Sequence, residues 1–204
     1  MSGPLVAVLD YGIGNLRSAQ KALEHVGADA RLTADPGEIT AAAGVVLPGV
    51  GAFGRCMEAL RESKLDKLAL DAIDAGVPFF GICVGMQMLY EGSDENPDAA
   101  GLGVLPARIR LLSDEVKRPQ MQWNMLQRVR PSAMLEGLDD PVWVYFVHSY
   151  APEATDDVVA TCDYGQPLVA AVERDRLWAT QFHPEKSARA GMAILSGFVA
   201  ALTA

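Results

Sequence analysis

The chain has 204 residues, of which 50% are apolar and 21% charged. That is the balance of a globular domain with its own core, not of a disordered chain. Lys and Arg number 17 against 26 Asp and Glu, a formal net charge of -9, which argues against nucleic acid or an anionic membrane as partner, since both are held by clustered cations.

The opening stretch, Met1 to Gly12, has no basic segment ahead of an apolar one, so no secretory signal is expected. Leu5 to Asp10 reads as a strand that stops at Tyr11-Gly12. Asn15 is placed to cap a helix over Leu16 to Val26, with Leu16, Ala19, Leu23 and Val26 along one face and Gly27 at its end. Ala28 to Thr33 reads as a short strand, Asp35-Pro36 as the start of a small helix, and Gly44 to Leu47 as a buried strand stopped by Pro48-Gly49. Gly54 to Ala75 is helical with a break near Ser63. Val77 to Gly81 is a strand, and Val84 to Tyr90 begins a helix.

Beyond that point the pattern changes. Leu102 to Leu112, Trp143 to Tyr150, Val158 to Cys162, Leu168 to Val172 and Leu177 to Phe182 read as strands with few helices between them, and Ala188 to Ala201 as a closing helix. The expected fold is α/β: an open mixed, mostly parallel sheet flanked by helices, with antiparallel strands added, in one domain over 1–204. The apolar runs, such as Val142 to Val147, fall far short of the ~20 residues of a membrane span. Cys56, Cys83 and Cys162 are odd in number and widely spaced, which suits reduced thiols in a cytoplasm rather than disulfides. No metal-ligand spacing and no cofactor fingerprint stands out, so neither group is expected.

The segment Phe79-Phe-Gly-Ile-Cys-Val-Gly-Met-Gln87 follows a strand and opens a helix, with glycines two positions either side of Cys83. This is the pattern of a nucleophile elbow with Cys in place of Ser. A thiol at a helix N-terminus also meets the positive end of the helix dipole, which favours the thiolate. A buried core cysteine is the bland alternative. The base must come from elsewhere in the chain. His25 sits in the last turn of a helix, where a cation is favourable in any case. His148 and His183 both stand at strand ends, where open α/β sheets bind ligands. His183 has Glu185 two residues on, able to accept the other ring N–H and fix the tautomer. Pro48-Gly-Val-Gly51 after a strand can turn backbone N–H groups to one spot, as an oxyanion hole requires, with the Val84 N–H as the second donor.

Gly81-Ile-Cys-Val-Gly-Met-Gln87 with His183-Pro-Glu185 resembles the class I (triad) glutamine amidotransferases, whose fold is flavodoxin-like. Asp10 to Ser18, Leu47 to Phe53, Trp123-Asn124, Tyr145 to Tyr150 and Gln181 to Ser187 narrow the resemblance to the glutaminase subunits of imidazole glycerol phosphate synthases. The likeness covers nearly the whole chain. It implies that Cys83 attacks the carboxamide of glutamine, that N–H groups of Val50 and Val84 hold the oxyanion, and that His183, oriented by Glu185, passes a proton to the departing ammonia. By the same resemblance Gly49, Gly51, Gln87, Glu95, Ser149 and Tyr150 bind glutamine. Asn15, Trp123, Asn124 and Lys186 would meet a (β/α)8-barrel cyclase, as one half of a heterodimer. Where the family usually has Met-Gly-Trp-Asn, this chain has Met121-Gln-Trp-Asn124, which puts a polar side chain in a segment that faces the partner. Val84 replaces a commoner Leu.

Three other readings are open from the residues: a glutaminase serving another synthase, of the anthranilate, carbamoyl phosphate or pyridoxal phosphate type; a lone cysteine hydrolase or redox-responsive protein with the same elbow; and a non-catalytic relative. Gln87 and Pro48-Gly-Val-Gly51 speak against the second, and the filled triad positions against the third.

Overall fold

A computed structural model describes residues 3–203; Met1 and Ser2 of the opening stretch, and Ala204 at the far domain boundary, lie outside the described residues. The elements run β1 (Leu5–Leu9), α1 (Leu16–His25), β2 (Asp29–Thr33), α2 (Pro36–Ala41), β3 (Gly44–Gly49), α3 (Phe53–Glu62), α4 (Leu65–Asp74), β4 (Phe79–Cys83) and α5 (Val84–Met88). There follow β5 (Gly92–Ser93), β6 (Asn96–Ala100), β7 (Ile109–Leu111), β8 (Gln120–Met125), β9 (Gln127–Arg128), β10 (Trp143–His148), β11 (Tyr150–Pro152), β12 (Val158–Asp163), β13 (Pro167–Arg174), β14 (Leu177–Thr180) and α6 (Ala188–Ala201).

The main sheet has eight strands in the order β2-β1-β3-β4-β14-β13-β12-β9. Its first five are parallel, and β13, β12 and β9 continue it antiparallel. The central strands are apolar because helices cover both faces: β3 and β4 are buried at every position. Asp35 caps α2 by accepting the Glu38 N–H at 2.9 Å. Among the described residues no helix is long and apolar enough to cross a membrane.

The expected α/β architecture is present, with differences that have physical causes. Asn15 occupies the N-cap of α1, but its side chain makes no capping hydrogen bond. Leu102 to Ala107 is not strand; its apolar side chains enter the core while its N–H groups go to the end of α5 and the turn after it, Leu102 N to Met88 O (2.8 Å) and Leu105 N to Leu89 O (2.9 Å). The single strand expected over Trp143 to Tyr150 divides at Ser149. Its first part pairs with β8 and its second with β7. The strands β5, β6, β8 and β9 have no counterpart among the expected elements.

Candidate active site

β4 runs to Cys83 itself, two residues past the expected end, so the sulfur stands on the last strand residue and heads α5. Cys83 has φ 56° and ψ -113°, a conformation that L-residues adopt only under constraint. The constraint is a close crossing of backbones. A Cβ on Gly85 would lie 1.8 Å from the Leu47 carbonyl oxygen, and one on Gly49 would lie 2.7 Å from the Gly85 nitrogen. Gly49 therefore serves as the packing surface for α5 and is not among the residues that line the cavity beside Cys83.

That cavity, of about 510 Å³, opens at the carboxyl ends of the central strands, where α/β sheets bind ligands. It brings together Cys83, His183, Val50, Val84, Gly51 and Gln87, residues drawn from separate segments of the sequence. Glu95, Ser149 and Tyr150 complete the predicted glutamine contacts on its wall, and Asn15 and Lys186 lie on the same wall. His148, the other histidine at a strand end, lines it too.

A short 3-10 turn over Pro184–Lys186 folds Glu185 back onto His183. The His183 Nδ1 lies 2.8 Å from Glu185 Oε1, and both side chains are 3% exposed. Ser187 braces the turn: its hydroxyl donates to the His183 carbonyl at 2.7 Å and accepts from the Tyr145 N–H at 3.0 Å. Burial works against a charge on His183, but the neighbouring Cys83 sulfur and the hydrogen-bonded Glu185 carboxylate outweigh that and raise its pKa to about 9.

Two further side chains hold the site. One of them, Gln181, is missed from the sequence; the other, Gln87, is found there. Gln181, fully buried, directs its Nε2 to Cys83 Sγ at 3.8 Å and receives the Gln87 Nε2 on its Oε1 at 3.0 Å. Gln87 also donates to the Tyr150 carbonyl at 3.0 Å. Gln181 stands in the run Gln181 to Ser187, but a glutamine has no signal of its own until its neighbours in space are known. Glu95 accepts the Phe53 N–H at 2.7 Å, so its carboxylate meets the N-terminus of α3 as well as the cavity. Beneath the Pro48–Gly51 loop, the Tyr11 hydroxyl donates to the Pro48 carbonyl at 2.6 Å and the Cys56 thiol to the Val50 carbonyl at 3.3 Å.

Trp123 and Asn124 are on β8, and neither lines the cavity. Asn124 spends its amide within the chain, donating to the Asp163 carbonyl at 2.8 Å and accepting the Met125 N–H at 2.8 Å. Trp123 belongs to an apolar ribbon. Alternation puts Met121, Trp123 and Met125 on one face of β8, opposite Val147, Tyr145 and Trp143 of β10. Met121, Trp123 and Trp143 are 62%, 45% and 50% exposed. Gln122 alternates to the other face, with Gln120 and Asn124. The polar substitution in this segment thus leaves the ribbon apolar.

A family model described as Glutamine amidotransferase class-I matches residues 7–202. The chain is similar to the "Imidazole glycerol phosphate synthase subunit HisH" of Synechococcus elongatus, 48% identical over all of this chain and 96% of that one. It is also similar to the proteins so described from Methanothermobacter thermautotrophicus (48% identical, covering 96% of this chain and 98% of that one) and Salinibacter ruber (45%, covering 96% and 94%). Among solved structures, PurLQS from Thermotoga maritima matches with TM-score 0.76 at 19% identity, covering 98% of this chain and 99% of that one. A putative GMP synthase component from Thermoplasma acidophilum matches with TM-score 0.74 at 21% identity, covering 100% and 96%. These two show a shared fold.

Proposed function

The chain belongs to the class I glutamine amidotransferases and, among them, to the HisH subunits of imidazole glycerol phosphate synthase, and from that premise we propose how its residues divide the work. It is the glutaminase subunit of that enzyme, in histidine biosynthesis. The Cys83 sulfur forms a bond to the γ-carbon of glutamine, and the developing oxyanion is met by the N–H groups of Val50 and Val84. The C–N bond breaks as His183 gives a proton to the nitrogen, and ammonia leaves. Water then attacks the thioester, with His183 as base and Glu185 holding its ring, and glutamate is released.

The observation that carries this reading is the convergence of Cys83, His183 and the Pro48–Gly51 loop on one cavity, with Glu185 locked to the far side of the ring. Gln87, Glu95, Gly51, Ser149 and Tyr150 line that cavity and suit the amino-acid end of glutamine. Gly49 acts through packing, since a side chain there would displace α5.

Ammonia is protonated in water at neutral pH and then is no nucleophile, so it must pass directly to a cyclase. We assign that partner as a (β/α)8-barrel docked on the Met121–Trp123–Trp143 ribbon and the adjoining cavity mouth at Asn15 and Lys186, giving a heterodimer. An exposed aromatic and methionine patch of this kind is the composition of an interface core. Asn124 supports the ribbon from behind. The 1–204 chain works as one amidotransferase domain in the cytoplasm, where its three thiols stay reduced.

Cys83→Ala tests the assignment. In the complex with the cyclase it should abolish synthesis from glutamine, a loss of at least ~10³-fold, while synthesis from ammonium salts persists. Retained glutamine turnover would show that the nucleophile lies elsewhere. Loss of both activities would point to a broken complex.

A further inference from the structure

The Pro48–Gly51 loop leaves the sheet beside Cys83, and two buried side chains take over from the sheet there. β1 pairs with β3 only as far as Val8 and Val46, and β4 pairs with β3 as far as Cys83 and Gly49. Pro48 thus lies beyond the β1 pairing, and Val50 lies beyond both. Their carbonyls need donors from elsewhere. Tyr11, just past the end of β1, donates its hydroxyl to the Pro48 carbonyl at 2.6 Å. Cys56 donates its thiol to the Val50 carbonyl at 3.3 Å. Tyr11 is 5% exposed and Cys56 is fully buried. Burial raises the pKa of both groups, so at neutral pH each carries the proton it donates.

Neither residue lines the cavity, and the mechanism above uses neither. Cys56 is itself held in place. It sits on α3, whose leading N–H groups are fixed by the segment that joins β5 to β6. The Phe53 N–H donates to the Glu95 carboxylate at 2.7 Å, and the Gly54 N–H to Asn96 Oδ1 at 3.0 Å. A peptide unit is planar, so fixing its carbonyl also fixes the N–H on its other side. Tyr11 in this way fixes the Pro48–Gly49 unit, and Cys56 fixes the Val50–Gly51 unit. The unit between them, Gly49–Val50, carries the N–H assigned to the oxyanion. Glycine at 49 and at 51, the latter with φ 86°, puts few limits on rotation there. The two side chains supply the limits that the glycines do not.

We infer that Tyr11 and Cys56 are positioning residues for the oxyanion hole: by holding the carbonyls on either side, they keep the Val50 N–H turned to the carboxamide oxygen of glutamine. The inference rests on the glutaminase reading. An oxyanion donor acts on charge that develops only in the transition state, so a misaligned donor lowers kcat and leaves the binding of glutamine alone. Alkylation of Cys83 by iodoacetamide is different. The sulfur displaces iodide at a saturated carbon and no oxyanion forms, so that rate reports the sulfur and not the Val50 N–H.

The test measures both reactions on the complex with the cyclase, with alkylation followed by the mass of the Cys83 peptide. Tyr11→Phe removes only the hydroxyl. It should lower kcat for glutamine at least ~10-fold, with KM and the rate of Cys83 alkylation within about twofold of wild type. Cys56→Ala should act in the same direction, and Cys56→Ser, whose hydroxyl restores a donor, should recover most of the loss. Melting temperatures identify a variant that fails to fold, and the other position then decides. Unchanged kcat in Tyr11→Phe and Cys56→Ala overturns the inference, and so does a fall in kcat matched by slower alkylation, or a Cys56→Ser no better than Cys56→Ala. The two side chains would then be packing. A wild-type complex whose Cys83 is alkylated but which does not turn over glutamine would instead overturn the glutaminase reading itself.

Discussion

The wall that carries Cys83 and the wall that carries His148 are held by different kinds of contact. Around Cys83 the contacts are backbone on backbone. β3, β4 and α5 cross so closely that Gly49 and Gly85 leave no room for a Cβ, and the strained φ of Cys83 is carried by that crossing. Around His148 the contacts are side-chain hydrogen bonds: the ring and Gln87 share the Tyr150 carbonyl, and Gln87 passes through Gln181 to the sulfur. The hairpin behind that wall, β8 with β10, forms a sheet of its own with one apolar face open. Cys83 is thus set by backbone packing, whereas the opposite wall is set by side-chain hydrogen bonds.

The sharpest way to break this contrast is to loosen the rigid wall. Gly85→Ala puts a Cβ 1.8 Å from the Leu47 oxygen, which is backbone and cannot step aside. Overpacking of that sort typically costs about 1–3 kcal/mol and occasionally more, and here the displaced group is the backbone at Leu47 and Pro48, which leads into the loop ending at Gly51. The expected outcome is a marked fall in yield or melting temperature and loss of glutamine turnover, read by thermal unfolding and a glutaminase assay. A stable, fully active variant would show that the crossing does not hold the nucleophile.

Gln181→Leu probes the link between the two walls. It removes the donor to Cys83 Sγ and leaves Gln87 with only Tyr150 as acceptor. A lost hydrogen bond to a charged group is worth about 1.5–3 kcal/mol, so kcat for glutamine should fall roughly 10- to 150-fold, with ammonia-dependent synthesis intact. Unchanged kcat would mean that the sulfur is set by the backbone alone.

Trp123→Ala addresses the open face. Removing an exposed aromatic leaves the isolated chain's stability nearly unchanged, but an interface anchor costs about 2 kcal/mol, so the dissociation constant for the cyclase should rise roughly 30-fold. Calorimetric titration of one subunit into the other measures it. Equal affinity would move the docking surface off this ribbon.

The same contrast governs what was readable from the sequence. The rigid half announces itself, because strands buried on both faces are continuous apolar runs (Val45 to Leu47, Phe79-Phe80) and because close crossings demand glycine at fixed spacing from Cys83. The other half does not. β8, Gln-Met-Gln-Trp-Asn-Met, and β6, Asn-Pro-Asp-Ala-Ala, contain no β-branched residue and owe their conformation to the strands they pair with. The link from Gln181 to Cys83 and the bonds from Tyr11 and Cys56 to the Pro48–Gly51 loop are properties of a neighbourhood, not of a residue. Asn15 shows the converse: a good capping residue in the N-cap position lines the cavity without capping.

A pH series separates the two histidines that line the cavity. His148 is pulled down to about 4 in the folded chain from an ordinary value of 6.5. The unfolded chain therefore binds more protons between those values. The stability that neutral His148 permits is complete above pH 6.5 and is lost as pH falls toward 4, by at most about 3 kcal/mol. His183 runs the other way. Raised to about 9, it contributes stability that is complete below pH 6.5 and is lost as pH rises through 9. Thermal melts of the full chain from pH 4 to 10 should show His148→Gln losing less stability than wild type on the acid limb, and Glu185→Gln losing less on the alkaline limb. If both variants track the wild type on both limbs, the opposed settings of the two rings are wrong.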